Sequence, residues 1–383
     1  MNQLEATIHR ILSAAVENNE GAGYNALITL KGEDIAYTEA GWANVAAGKK
    51  ITRDAIFRLY SQTKPITSAA VMLLMERGLL DVMDPVSKFL PGFDNARVIT
   101  EQGLVPARRP VMLYDLLSMT AGCAYPDGDA AGQYAARLFE KNQAEIDAGG
   151  GMSTVDFCNA IGALPLSFQP GTAFRYSTCA DVLGAVVEVV SGRPFADFLR
   201  EEFFEPLGMK DTAFWLPEEK LPRLVTAYER TPEGLKEYTV RHLCVGNYSR
   251  EPAFASGGAG LVSTIDDYRR FATMLLRGGE LDGVRILRPA TVEWMTKPQQ
   301  ASTGWDSLVG HGYGKLMRVC TDPGSAPGLA RMGEYGWDGW LGTYFANFPD
   351  CGLTIQVFLN ARDTGTCTAT RKVRNAVLSL LDL

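Results

Sequence analysis

Histidine is nearly absent from this chain: 383 residues contain only His9, His242 and His311. His9 falls in a helical pattern, and "VRHLC" and "VGHGYG" read as settings for packing or surface histidines, so a Ser-His-Asp hydrolase is disfavoured. No serine sits in G-x-S-x-G, which removes the nucleophile elbow of α/β-hydrolases. There is no H-E-x-x-H and no C-x-x-C, and seven scattered cysteines offer no metal-ligand spacing. "GGAG" at 257–260 is neither a P-loop nor G-x-G-x-x-G. No metal and no cofactor are therefore expected. Long apolar runs are missing too, so no membrane span is expected. "MNQLEATIHRILSAAVENNE" has helical apolar spacing broken by Glu5, His9 and Arg10, unlike a secretion signal. Reduced thiols and a cytoplasmic location follow as expectations. The net charge of −7, without a Lys/Arg run, argues against a nucleic-acid partner.

What is present is an ordinary globular composition, 46% hydrophobic and 21% charged. "YNALITLKGEDIAYTEAGWAN" alternates around "KGED" as a β-hairpin does. "ITSAAVMLLMERGLL" and "ADVLGAVVEVVSG" read as helices, the second ending at Gly192. "PFADFLREEFFEPLG" lines up Phe195, Phe198, Leu199, Phe203 and Phe204 on one side, while 126–153 reads as an irregular or lid-like insertion. After residue 310, "YGKLMRVCT", "LGTYFANFPD" and "LTIQVFLNA" read as neighbouring antiparallel strands, with "PDCG" as a turn and "TRKVRNAVLSLLDL" as a closing helix. The expected fold is mixed α/β in a single catalytic unit, 1–383. Residues 1–60 and 255–383 would form an α/β region around a mostly helical 61–254.

One short stretch offers chemistry. In "FRLYSQTKPITSAAV", Ser61 and Lys64 stand three apart at a strand-to-helix transition, and it is the chain's sole S-x-x-K. That spacing puts both side chains on one helix face, and the helix N-terminus favours negative charge developing on the serine. The lysine can accept the hydroxyl proton only when neutral, which requires its pKa to fall by about 3 units, on the order of 4 kcal/mol. By itself the tetrad equally describes a serine-capped helix start with a solvated lysine.

The surrounding residues resemble the serine β-lactamase and penicillin-binding-protein superfamily, in its class C-like branch. The resemblance runs through "RDAIFRLYSQTKPITSAAVMLLMERGLLDVMDPVSKFLP", "LYDLLSMTAG", "PGTAFRYSTCADVLGAVVEVVSGRPFADFLREEFFEPLGMKDTAF", "ASGGAGLVSTIDDYRRFATMLLRGGELDGVRIL" and "YGWDGWLGTYFANFPD". Within that superfamily the chain looks most like the family VIII carboxylesterases. The resemblance implies an antiparallel sheet flanked by terminal helices, with a helical insertion. It makes Ser61 the nucleophile, Lys64 its partner, and Tyr176 of "RYSTC" the tyrosine of the second motif, with its phenol pKa lowered by the ammonium. It also implies an oxyanion hole from the backbone N–H groups of Ser61 and Trp340, with Gly339 admitting close approach.

Two departures bear on substrate. Thr178 replaces the Asn of Y-x-N, and Trp337 replaces the Lys or His of the third motif, here "WDG", followed by Asp338. Those cations help to hold the carboxylate of a β-lactam or of D-Ala-D-Ala, which an indole beside an acid does not. The expectation is therefore a small-molecule ester, cleaved through an acyl-enzyme. Acyl transfer, amidase or D-aminopeptidase activity and weak β-lactamase activity are the alternatives, with a non-catalytic penicillin-binding-like protein from another class. Tyr114 and Tyr125, flanking "DLLSMTAG", are candidates for the acyl pocket or for packing. Trp340 and Tyr344 are candidates for the alcohol side, and Asp338 for selecting neutral or cationic substrates.

Overall fold

A computed structural model describes residues 2–239, 241–246 and 248–382. Five helices and eight strands position the site: α1 (Gln3–Glu17), β1 (Gly23–Leu30), β2 (Glu33–Asn44), β3 (Lys49–Lys50), α2 (Lys64–Glu76), α3 (Cys179–Ser191), α4 (Ile265–Leu276), β4 (His311–Tyr313), β5 (Arg318–Cys320), β6 (Tyr335–Asp338), β7 (Tyr344–Phe348), β8 (Leu353–Phe358) and α5 (Thr368–Leu380). The strands form one antiparallel sheet in the order β4-β5-β6-β7-β8-β1-β2-β3. Both ends of the chain thus share a sheet, joined where β1 pairs with β8 from Asn25↔Phe358 to Leu30↔Leu353.

Alternation along these strands separates two cores. One face carries Tyr24, Ile28, Ala346, Phe348, Ile355 and Val357 under α1 and α5. Helix α1 starts with a capping box between Asn2 and Glu5 and buries Leu4, Ile8, Leu12 and Ala15. The other face contributes Leu27, Phe345 and Phe358 to a larger core shared with the helical region. Helix α2 runs through that core, buried without interruption from Lys64 to Leu74, so its apolar positions encircle it. Helix α3 packs alongside and closes at Gly192, whose φ of 68° suits a left-handed C-terminal cap.

Two segments depart from the expectations above. Residues 126–153 hold a regular helix, Ala130–Asp147, rather than an irregular insertion. Asp129 caps it through the Gly132 N–H, and Ala131, Ala135 and Phe139 form its buried stripe; the alanines favour helix once such a stripe has something to pack on. "YGKLMRVCT" is not one strand: the backbone reverses between β4 and β5, with Leu316 at φ 59°. Among the described residues no helix is long and apolar enough to cross a membrane.

Ile8, fully buried between α1 and the sheet, tests this packing. Ile8→Ala should destabilise the protein by about 2–4 kcal/mol, read as a lower denaturation midpoint at unchanged slope; a loss below about 1 kcal/mol would refute a tightly docked α1.

Candidate active site

The candidate nucleophile sits on a sharp backbone reversal. Phe57–Arg58 pairs with Val262–Ser263, after which Tyr60 adopts φ 47°, a left-handed conformation costly for a bulky residue. Its buried ring is held against Trp340, with centroids 5.1 Å apart. A single tight turn, Tyr60–Thr63, then leads into α2 and carries Ser61 at the helix entrance. Lys64, the first residue of α2, lies one turn on.

The Lys64 amine is fully buried, and no carboxylate among the described residues lies within ion-pairing distance of it. Its Nζ is 3.1 Å from Ser61 Oγ, 3.0 Å from the Tyr125 hydroxyl and 2.8 Å from the Gly258 carbonyl. Burial pulls its pKa down to about 7, against the opposing influence of Asp181, Cys179 and Asp338. A neutral amine has two N–H donors and one lone pair, which matches this set. It donates to the Gly258 carbonyl and the Tyr125 oxygen, and accepts from the Ser61 hydroxyl. Asp181, also buried, accepts from Ser256 Oγ at 2.5 Å and from the Gly258 N–H at 2.9 Å, so one peptide group links it to the amine. Burial pushes the Asp181 carboxyl up, and the charge of Lys64 draws it down.

Tyr176 completes the cluster. Lys64 Nζ lies 4.6 Å from the centre of its ring, and its hydroxyl accepts from Trp337 Nε1 at 3.1 Å. Its pKa is raised, not lowered: burial outweighs the hydrogen-bonding influence of Ser61 and Trp337. The expected activation by an ammonium fails for a physical reason, since the same burial that protects the phenol also discharges the lysine. Near neutral pH this tyrosine is a proton donor.

The third motif meets the nucleophile turn edge-on. A Cβ on Gly339 would stand 2.2 Å from the Leu59 carbonyl oxygen, and Thr343 Oγ1 donates to that same oxygen at 3.1 Å. Only glycine permits this approach. The Gly339 N–H is tied to the Thr343 carbonyl at 2.7 Å. The Ser61 N–H belongs to the first turn of its helix, where N–H groups lack intrahelical acceptors, and the Trp340 N–H, outside any helix or strand, has no backbone acceptor among the described residues, as an oxyanion hole requires.

A cleft of about 840 Å³ opens from Ser61, with Tyr125, Tyr176 and Trp305 in one cluster of its lining and His242, Leu243 and Trp340 in another. Trp305 stacks on Tyr176 at 5.3 Å, and His242 stacks on Trp340 at 4.2 Å. Trp337, Asp338, Gly339 and Tyr344 also line the cleft. Tyr114 and Thr178 do not. Thr178 is wholly buried at the start of α3, its hydroxyl unpartnered among the described residues, and Tyr114 lies in a short helix, Leu113–Leu117, outside the cleft lining.

Asp181, Gly258, Trp305 and His242 escaped the sequence reading. Gly258 belongs to "GGAG", which serves the lysine rather than a phosphate. His242, read as a packing residue, lines the cleft, and burial lowers its pKa. His9 does pack, bonding Thr38 at 3.1 Å.

The Beta-lactamase family model matches residues 8–378. The chain belongs to the β-lactamase family. It is 33% identical to the protein Rv1367c of Mycobacterium tuberculosis over 337 residues, 84% of this chain and 81% of that one. It is 30% identical to esterase EstB of Burkholderia gladioli over 378 residues, 93% of this chain and 90% of the other. Among solved structures, EstCE1, described as a hydrolase with promiscuous acyltransferase activity, superposes with a TM-score of 0.84 at 27% identity, covering 98% of both chains. The β-lactamase-family fold is thus the mixed α/β architecture expected from the sequence.

Two measurements test the geometry. A base with a pKa of about 7 is competent only when deprotonated. Ester turnover, kcat/KM, should therefore rise from pH 6 to pH 8 and be lost below, and a flat profile across that range would exclude Lys64 as the base. Gly339→Ala should reduce turnover by about 10²-fold or more while the far-ultraviolet circular dichroism stays native; full activity would show that the close approach is dispensable.

Proposed function

We propose that this chain is a serine carboxylesterase that cleaves small-molecule esters through an acyl-enzyme on Ser61. The observation that carries this reading is the Lys64 amine, pulled down to about 7 by burial and 3.1 Å from the Ser61 hydroxyl. The neutral amine takes the Ser61 proton as Oγ attacks the ester carbonyl. The tetrahedral oxyanion rests on the N–H groups of Ser61 and Trp340, a pair in which each donor contributes on the order of 3 kcal/mol. Tyr176, protonated and next to Trp337, delivers its proton to the departing alcohol and is recharged from Lys64. Water then attacks the acyl carbonyl as Lys64 accepts its proton, and the acyl–Oγ bond breaks as Lys64 returns that proton to Ser61 and the acid leaves.

Trp337 supports an ester over a β-lactam, because its indole occupies the place of the cation that would meet a carboxylate beside the scissile bond. Its N–H serves Tyr176 instead. The esterase among the relatives and the hydrolase EstCE1 support the same class of reaction, and the acyltransferase activity of EstCE1 supports an alcohol as a second acceptor in place of water. All seven cysteines are free thiols, which suits a cytoplasmic enzyme.

Ser61→Ala should abolish hydrolysis of 4-nitrophenyl acetate and butyrate, and a fluorophosphonate should add its mass to Ser61 in the unaltered enzyme. Near-normal hydrolysis by the variant, or no adduct at all, would overturn the assignment.

A further inference from the structure

The cleft has a second lobe that the reaction at Ser61 does not use. Along β6, Trp337 faces Tyr176, so Gly336 and Asp338 face the opposite side of the sheet. Arg318 on β5 pairs with Gly336, whose Cβ position is taken by the Phe345 carbonyl that Arg318 bonds, and Tyr344 on β7 pairs with Asp338. The cleft continues around this strand to Arg318, Tyr344, Arg371, Arg374 and Asn375. The nucleophile and these cations therefore line one continuous cavity.

Arg318 is the anomaly there. Its side chain is 7% exposed and its guanidinium lies 4.7 Å from the centre of the Tyr344 ring. Among the described residues it makes one hydrogen bond, from Nη2 to the Phe345 carbonyl at 3.1 Å. The nearest carboxylate, Asp338, stands 3.9 Å from Nη1, beyond hydrogen-bond reach, and already accepts from Thr366 Oγ1 at 2.6 Å. Four of the five N–H donors of Arg318 thus have no acceptor among the described residues, and the side chain lines the cleft. Its ion pair with Asp338 is loose and makes no hydrogen bond, so it leaves the guanidinium able to take an anion at hydrogen-bond distance. The neighbouring arginines are committed: Arg374 to Tyr344, the Leu329 carbonyl and Glu334, and Arg371 to Thr366 and Thr368. Arg374 is neutralised by Glu334, and Arg371, bound only to neutral groups, adds positive field.

We propose that this lobe is a carboxylate subsite, with Arg318 as its donor, and that the ester substrate carries a carboxylate away from the scissile bond. The inference rests on the esterase reading and narrows its substrate class. The Arg318 guanidinium, beside Asp338, lies on the face of the sheet opposite Trp337 and Tyr176, which sets the anion away from the reacting carbonyl, around the end of β6. That reach fits a flexible chain and excludes a compact β-lactam, whose carboxylate lies close to the scissile bond. Asp338, offset by Thr366 and Arg318, is then no barrier to anionic esters but a tuner of the arginine. This revises its expected role as a filter for neutral or cationic substrates.

The test compares kcat/KM for an anionic ester with that for its carboxamide isostere in two arms. 4-Nitrophenyl hemiadipate carries the charge on the acyl half, and 6-acetoxyhexanoate carries it on the alcohol half. A preference of tenfold or more for the anion in either arm supports the subsite and identifies the half that enters it. Arg318→Gln should shrink that ratio at least fivefold, Arg318→Lys should shrink it less, and Asp338→Asn should raise it. Should Arg318 variants fail to fold, adipate must competitively inhibit the unaltered enzyme more strongly than adipamide does. No anion preference in either arm together with equal inhibition overturns the subsite, as does a ratio unmoved by Arg318→Gln. If the carboxamide esters are hydrolysed normally in that case, the esterase reading stands; if no ester is cleaved, the esterase reading itself has failed.

Discussion

The chemistry depends on keeping one lysine dry. Lys64 begins α2 inside the main core, and burial alone brings its amine to about 7. An ion pair at hydrogen-bond distance would cancel that effect by stabilising the ammonium. Asp181 acts through the Gly258 peptide group and Asp338 is engaged elsewhere, so the acids influence the lysine without neutralising its usefulness as a base. The burial that prepares the lysine also keeps the Tyr176 phenol protonated, so in the proposed mechanism the two groups divide the work of base and acid.

A second constraint is the backbone contact between Gly339 and Leu59. It fixes the distance between the nucleophile turn, from one part of the chain, and β6, from another. The left-handed Tyr60 stores strain at the same place, and the packing of its ring on Trp340 holds it there. The proposed oxyanion donors are therefore set by backbone geometry, which tolerates change in side chains better than change in that one glycine.

Much of this was legible in the sequence where local rules suffice. The S-x-x-K spacing, the hairpin around "KGED", the closing strands and the Gly192 helix end follow from periodicity and turn chemistry. The helix at Ala130–Asp147 was missed because an Ala- and Gly-rich stretch declares itself helical only when a surface receives its stripe. "YGKLMRVCT" was read as one strand because nothing local announces a non-glycine reversal at Leu316. Thr178 and Tyr114 looked like site residues by adjacency to motifs, yet side chains one or two positions along a helix point elsewhere.

The sequence alone determined which groups were available: a serine and lysine one turn apart, a tyrosine in its motif, an indole where a cation is common, and too few histidines for another mechanism. Only the tertiary structure decided their protonation, because a pKa depends on burial and on neighbours distant in the chain, such as Gly258 and Asp181. It alone brought Arg318 into the cavity of Ser61, since strand pairing, not sequence distance, sets what faces a ligand.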